Sequence, residues 1–139
     1  MIVGVGLDLV DVARVKRLIA SKEARALQRL FTAGEVTYAM GRQEPYVHLA
    51  ARIAAKEAAY KALSGSPGAR GIGWREMEVV SVDGGLPSLV LHGAAEIRCA
   101  ELRVRRVWLT LSHSQMTAGA VVVLEGPQTT SDGETQQAG

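Results

Sequence analysis

Apolar and polar residues alternate from the first positions of the chain. Ile2, Val3, Val5, Leu7, Leu9 and Val10 are apolar, and Gly4 and Gly6 alternate with the bulky ones, the pattern of a strand with one tightly packed face. Asp8 interrupts that strand where a buried carboxylate is costly unless paired or bound to a cation. From 11 to 30 the period lengthens. Val12, Val15, Leu18 or Ile19, Leu27 and Leu30 make the apolar stripe of an amphipathic helix, with the basic residues mostly outside it. Thr32 then fits an N-cap, and Glu35 three residues on completes a capping-box spacing that predicts a short helix ending near Met40. After a loop over 41–45, residues 48–63 carry neither Gly nor Pro and are dense in Ala, Leu and Lys, which predicts the firmest helix of the chain. Leu49, Ile53, Tyr60 and Leu63 form its stripe, and Glu57 and Lys61 lie on its flank, one turn apart.

The second half reads differently. Residues 64–73 are a loop rich in Gly and Pro, 77–82 alternate as a strand, Asp83-Gly84-Gly85 is a hairpin turn, and 87–91 are the return strand. A helix over 94–102 precedes two strands, 104–112 and 118–125, joined by a polar turn over 113–117. The order strand, helices, hairpin, helix, hairpin predicts an α+β domain in which a mostly antiparallel sheet packs on helices, not a βαβ nucleotide fold. Residues 1–126 form that domain. Residues 127–139 hold almost no apolar side chain and are expected to be a disordered polar tail.

Composition narrows the function. A chain of 139 residues, 47% hydrophobic and with one cysteine, is neither disordered nor disulfide-stapled. No apolar run nears the ~18–20 residues of a membrane span, so a soluble, cytoplasmic protein with no membrane partner is expected. A net charge of +2 and six scattered aromatic residues do not suit a nucleic-acid binder. The charge is uneven, however. Arg14, Lys16, Arg17, Lys22, Arg25 and Arg29 face only Glu23 in the same stretch, which suits an acidic partner as well as it suits a solvated helix face.

Few residues qualify for chemistry. Gly4-Val5-Gly6 lies inside a strand and lacks the third glycine of a dinucleotide fingerprint. Cys99 has no partner motif and is expected to pack. Asp8 and Glu57 together match the one or two carboxylates that Mg²⁺ takes in phosphoryl chemistry. Their plainer roles are an N-cap for Asp8 and, for Glu57, an ion pair with Lys61 worth about 0.3–0.5 kcal/mol. On spacing alone the plainer roles stand ahead. Ser112 and His113 are adjacent on a strand and point to opposite faces, so they form no catalytic dyad; His113 suits a phosphate donor or an ordinary turn. His48 and His92 receive no role.

Four stretches, in order, resemble the holo-[acyl-carrier-protein] synthases, the small 4′-phosphopantetheinyl transferases. Gly4-Val5-Gly6-Leu7-Asp8-Leu9-Val10-Asp11 with Arg14 is similar to the family's opening strand and first helix. Leu30-Phe31-Thr32 with Glu35 resembles its second motif, and Arg52-Ile53-Ala54-Ala55-Lys56-Glu57-Ala58-Ala59-Tyr60-Lys61-Ala62-Leu63 its signature helix. Leu109-Thr110-Leu111-Ser112-His113-Ser114, followed by 118–125, resembles its closing hairpin. The resemblance implies a trimeric fold of that family, with active sites at the subunit interfaces. It implies that Asp8 and Glu57 bind Mg²⁺ and that Lys61 lies near the pyrophosphate of coenzyme A. Arg52 and His113 would contact the coenzyme, with Ser64, Gly65 and Pro87 as further coenzyme-binding positions. Arg14, Arg17 and Arg25 would dock an acidic helix of an acyl carrier protein.

The implied reaction transfers 4′-phosphopantetheine from coenzyme A to a serine of the apo carrier, releasing adenosine 3′,5′-bisphosphate. Such transfers need positioning and charge neutralisation more than covalent help. Asp8, Glu57 and Lys61 are then the catalytic set, with Glu57, directly or through a metal-bound water, accepting the serine proton. Two features depart from the family's usual pattern. The 64–73 loop is longer and carries Pro67 and Arg70, and no basic residue precedes Pro87. The alternatives are a non-catalytic module that binds an acidic partner and a Mg²⁺-dependent nucleotide phosphohydrolase.

Overall fold

The computed structural model describes residues 1–64, 71–81 and 85–128, with every side chain among them except that of Glu23. In chain order the elements are β1 (Ile2–Asp11), α1 (Val12–Leu30), α2 (Ala33–Met40), α3 (Pro45–Leu63), a 3₁₀ turn (Trp74–Glu76), β2 (Met77–Val80), β3 (Ser88–Leu91), α4 (Gly93–Glu101), β4 (Arg106–His113) and β5 (Thr117–Glu125). The expected α+β order holds. The antiparallel strands form two sheets, β1-β5-β4 and the hairpin β2-β3.

Several boundaries move for local reasons. Helix α3 begins three residues early, at Pro45, because proline's missing N–H is no loss in a first turn. Strand β4 runs through His113, and the turn after it is tightened by Ser114, whose hydroxyl accepts from the N–H groups of Met116 and Thr117. Strand β3 starts after Pro87. Most of the Asp83-Gly84-Gly85 turn and nearly all of the expected tail lie outside the described residues. No helix among the described residues is long and apolar enough to cross a membrane.

Helix α3 is the centre of the molecule. The expected apolar stripe is too narrow an account, since Leu49, Ala50, Ala51, Ile53, Ala54, Ala55, Ala58, Ala59, Ala62 and Leu63 are all buried. Tyr60, expected within that stripe, is instead substantially exposed. The alanines let neighbouring elements approach on several sides. Strand β1 comes closest, because Gly4, Gly6, Asp8 and Val10 share the face turned to the helix. A Cβ on Gly4 would stand 2.2 Å from the Ala62 carbonyl oxygen, and one on Gly6 only 1.7 Å from that of Ala58. On α1 the buried alternative of the Leu18/Ile19 pair is Ile19, while Leu18 faces outward.

Three cations, Arg52, Lys56 and Arg98, are buried in or against α3. Lys56 is completely enclosed, and its Nζ donates to Glu35 Oε1 at 2.7 Å and to the carbonyls of Trp74 at 2.8 Å and Met77 at 2.6 Å. Glu35 also closes the expected capping box with Thr32 and accepts from Val79 N–H at 3.1 Å. One ion pair therefore ties together α2, α3, the 3₁₀ turn and β2. Removing either partner would leave an uncompensated buried charge, a defect that costs about 3–5 kcal/mol. At the far end of α3, buried Arg98 of α4 donates from Nε to the Leu63 carbonyl at 2.8 Å.

The close approach of β1 to α3 predicts a severe effect of one methyl group. Gly6→Ala must push backbone from backbone, so its cost should reach or exceed the upper end of the ~1–3 kcal/mol typical of overpacking. Urea unfolding followed by circular dichroism should show a clearly lowered midpoint, and a midpoint equal to wild type would contradict this packing.

Candidate functional site

Two residues beyond Gly6 on the same face, Asp8 meets the exposed edge of α3. Lys61 Nζ donates to Asp8 Oδ1 at 2.7 Å and to the Leu7 carbonyl at 3.1 Å, and the Glu57 carboxyl lies against Asp8. The two carboxyl groups differ in charge. Burial, a hydrogen bond with Asp8 and the Asp8 charge push Glu57 up to about 7. Burial acts upward on Asp8 as well, but hydrogen bonds with Glu57 and Lys61 and the charges of Lys61 and Arg14 outweigh it and hold Asp8 below its usual value. The bond to Asp8 raises Lys61 in turn, keeping it charged. Asp8 and Glu57 therefore share one proton at the edge of neutrality.

The site fits a divalent cation. Asp8 Oδ2 is buried and meets no N–H or hydroxyl donor, so only the proton shared with Glu57 can satisfy it. A cation placed there would displace the proton on Glu57 and satisfy that oxygen. Two carboxylates are what Mg²⁺ commonly takes from a protein when phosphate and water complete its shell. Neither plainer role survives: Asp8 lies inside β1, the N-cap of α1 is Asp11, and Lys61 pairs with Asp8 in place of Glu57.

A second cluster lies on another side of α3. Arg52 is only 2% exposed, and its guanidinium stacks on the Tyr38 ring at 4.2 Å, donates to Ser81 Oγ at 3.1 Å and leaves Nε without a partner. Arg42 stacks on the same ring at 4.3 Å. His48, one turn before Arg52, meets Tyr38 and His113 edge-on, each at 5.8 Å between ring centres. Glu35 acts on Arg52 and Glu44 on His48 from the edges of this group.

The third feature is the exposed face of α1. Arg14, Leu18, Lys22, Arg25 and Arg29 follow one another at helical spacing and are all exposed. A groove of about 590 Å³ runs along Leu18, Ser21, Lys22, Arg25, Ala26, Arg29 and Leu30 to Trp74. Trp74 also walls a cavity of about 430 Å³, together with Glu57, Tyr60, Lys61, Ile72 and Met77. One indole thus separates the basic groove from the carboxylate pair.

Comparison with known proteins gives the family. The model of the 4′-phosphopantetheinyl transferase superfamily matches residues 4–118. The chain belongs to that superfamily. It is 49% identical over 129 residues to a holo-[acyl-carrier-protein] synthase of Anaeromyxobacter dehalogenans, covering 91% of this chain and 98% of the relative. Among solved structures it resembles the holo-[acyl-carrier-protein] synthase of Neisseria meningitidis with a TM-score of 0.78 at 29% identity, over 90% of this chain and 99% of that one. It also resembles the Bacillus anthracis enzyme in complex with CoA (3′,5′-ADP), with a TM-score of 0.72 at 30% identity, over 91% and 99% of the two chains.

Within this phosphopantetheinyl transferase, the residues expected to carry chemistry fall into separate groups. Asp8, Glu57 and Lys61 are together, and Arg52 and His113 belong to one other cluster. The Ser64 hydroxyl donates to the Lys61 carbonyl, closing the end of α3, while Pro87 is half-buried beside β3. Gly65 lies outside the described residues. Arg14 was expected only to dock a partner, yet its charge also acts on both Asp8 and Glu57. Sequence reasoning missed Tyr38, Arg42, His48 and Trp74. A usable signal existed: a helix with alanine on every side has no solvated face for Arg52, so that cation had to find partners.

The shared proton has a measurable consequence. In chelator-treated protein Glu57 stays protonated until about pH 7, whereas in the unfolded chain it ionises near its ordinary 4.5. Across that window the folded state holds a proton the unfolded state lacks, so this group's contribution to stability falls as pH rises and levels off above it. Glu57→Gln should remove the decline, and its urea midpoint relative to wild type should rise from pH 4.5 to 8. A constant difference would rule out the raised value.

Proposed function

We propose that this chain transfers the 4′-phosphopantetheine group of coenzyme A to a serine of an apo acyl carrier protein, releasing adenosine 3′,5′-bisphosphate. Membership of the superfamily makes the chain a transferase, and relatives named holo-[acyl-carrier-protein] synthase support this pair of substrates. The observation that carries the residue-level reading is the proton-sharing pair Asp8 and Glu57 beside a charged Lys61. Asp8 and Glu57 would hold Mg²⁺, which when bound draws charge from the pyrophosphate. The carrier serine oxygen attacks the phosphorus that bears pantetheine, and the bond from that phosphorus to the bridging oxygen breaks. The serine proton passes to Glu57, and Lys61 steadies the charge that grows on the departing phosphate. Arg52 and His113 hold the coenzyme's remaining phosphate, and Ser64 and Pro87 contact the coenzyme elsewhere.

A homotrimer with two-chain sites belongs to the same proposal. Nine residues at about 100° each place Lys61 on the opposite side of α3 from Arg52, so one coenzyme meets both most simply across an interface between two copies. The sheet offers the surface. On the face turned away from α3, Val5, Leu7 and Leu9 of β1 are 56%, 58% and 69% exposed, and Trp108 of β4 is 48% exposed. They lie beside half-buried Val121 and Val123 of β5, a contiguous apolar patch on a three-stranded sheet. The same proposal assigns the transferase domain to 1–126 and the reaction to the cytoplasm.

The deciding assay is intact mass of apo acyl carrier protein after incubation with this chain, coenzyme A and Mg²⁺. One phosphopantetheine should be added, and Glu57→Ala and Arg52→Ala should each abolish the gain. Mixing the two variants before assembly should restore part of it, because about a quarter of the interfaces in random trimers would pair an intact Glu57 with an intact Arg52. No recovery would refute the two-chain site. Bisphosphate release without a mass gain would mean that water is the acceptor, and coenzyme binding with neither product would leave only a binding module.

Carrier docking rests on the groove along α1. Its basic rim of Lys22, Arg25 and Arg29 around Leu18 suits an acidic amphipathic helix, and complementary charge speeds such encounters. Arg14 is a poor probe, since it also acts on Asp8 and Glu57. Arg25→Glu should raise the KM for the carrier about tenfold or more, the effect of like charges meeting in place of opposite ones. The KM for coenzyme A should stay within about twofold, and equal losses for both substrates would exclude a docking role.

A further inference from the structure

His48 has no part in the chemistry described so far, yet its surroundings are unusual. It stands one turn before Arg52 on α3, and Arg52 Nη1 donates to its carbonyl at 3.4 Å. Its ring is half-buried between Tyr38 of α2 and His113 at the end of β4. The charged groups that act on it are Arg52 from α3, His113 from β4, and Arg42 and Glu44 from the segment between α2 and α3. Three of these four are positive or become so on protonation, and only Glu44 opposes them. Burial first, and then Arg52, His113 and Arg42, hold His48 below its ordinary value. In the ligand-free protein this imidazole is therefore neutral at neutral pH.

The cluster is also built for a ligand. Arg52 is almost wholly enclosed, its position is fixed by Ser81 Oγ and the Tyr38 ring, and its Nε has no partner. A buried guanidinium N–H without an acceptor is an expensive state unless something anionic completes it. An anion set among Arg42, Arg52, His48 and His113 would reverse the local balance of charge. The same cationic crowding that now keeps the imidazole neutral would be offset, and its proton would be favoured.

We propose that His48 is a further phosphate-binding residue, neutral in the free protein and protonated when a phosphate monoester enters the Arg42–Arg52–His113 cluster. The proposal rests on the reading of coenzyme A as substrate. The 3′-phosphate is the coenzyme's only monoester, and it carries close to two negative charges above its second pKa of about 6. The pyrophosphate oxygens carry one charge per phosphorus and stay with Lys61 and the carboxylate pair. Binding of the coenzyme would then be proton-coupled at a position removed from the transfer itself.

Calorimetric binding of coenzyme A and of dephospho-coenzyme A, without carrier and with chelator, tests this between pH 6 and 8. Measurements in two buffers of different ionisation enthalpy give the protons taken up. His48→Phe keeps an aromatic ring against Tyr38 and His113 and should fold normally, which thermal melting checks. Wild type should take up a fraction of a proton on binding coenzyme A, and His48→Phe should lose that fraction. If His48 rises by about one pKa unit on binding, wild type should gain up to about tenfold in affinity relative to the variant as pH falls from 8 to 6. The titration of the phosphate itself is common to both proteins and cancels in that comparison. Dephospho-coenzyme A should show no such difference.

Equal proton uptake and parallel pH profiles for the two proteins would overturn the role of His48 while leaving the coenzyme reading intact. The same His48-dependent effect with dephospho-coenzyme A would also overturn it, since the monoester would not be the group sensed. No binding of coenzyme A by wild type at any pH, either with chelator or with Mg²⁺ restored, would remove both this proposal and the substrate reading beneath it. Inorganic phosphate forms a last arm. Competition with coenzyme A, with the same His48-dependent pH profile, would support a cluster that reads the phosphate alone; a profile independent of His48 would count against it.

Discussion

A contact between two backbones sets the geometry of this molecule. Strand β1 lies so close to α3 that no side chain fits between them at Gly4 or Gly6, and the carbonyls of Ala62 and Ala58 fill the space. Close approach fixes distance, register and direction together. Because side chains on a strand repeat every second residue, the face that carries Gly4 and Gly6 next presents Asp8. There the helix has turned its flank outward, and Glu57 and Lys61 are waiting. Pairing with β5 across Gly6–Val122 and Asp8–Ala120 keeps the strand from sliding. The proton-sharing carboxyl pair is thus a consequence of two missing side chains further up the strand.

The second constraint is that α3 has almost no solvated face. A helix of this kind is usually apolar throughout, yet this one carries Arg52 and Lys56 inward. Lys56 meets one carboxylate and two carbonyls and so is fully matched. Its partners hold the segment from Trp74 to Met77, which walls the cavity beside Glu57. Arg52 is matched less completely, with one hydroxyl, one carbonyl, an aromatic face and an orphaned Nε. The contrast separates a fully matched cation from one with a donor to spare. Where every donor is used the residue holds the fold, and the buried Nε left over on Arg52 is what the proposed phosphate site would use.

Much of this was legible in the order of residues. The glycine alternation in β1, the Thr32–Glu35 capping box and the long alanine-rich helix each have a local physical cause, so they could be read without knowing the fold. The Asp8–Glu57 pair was legible only as a possibility, because nothing in their spacing says that a strand and a helix 49 positions apart will touch. The motif resemblance, not the periodicity, moved it ahead of the plainer roles. What escaped was whatever depends on packing from several directions. Tyr38, Arg42 and His48 become a cluster only when α2, α3 and β4 converge, and Glu35 looked like a cap before Lys56 was known to point at it. Amphipathic counting also failed on α3, since it assumes one buried stripe and this helix is enclosed on most sides.

Net charge conceals how the surface is divided. The chain is +2 overall, a value that describes no part of it well. One region, Asp8 with Glu57, is arranged to attract a cation; another, Arg52 with its imidazoles, an anion; a third, the face of α1, an acidic surface. Opposite fields this close would cancel in water if they faced one another. They do not, because α3 separates the first two on opposite sides and Trp74 stands between the first and the third. Arg14 is the exception that links them. It begins the basic stripe of α1, yet its charge helps keep Asp8 ionised. An acidic group set against that arginine would weaken its hold on Asp8, so the two regions are not electrically independent.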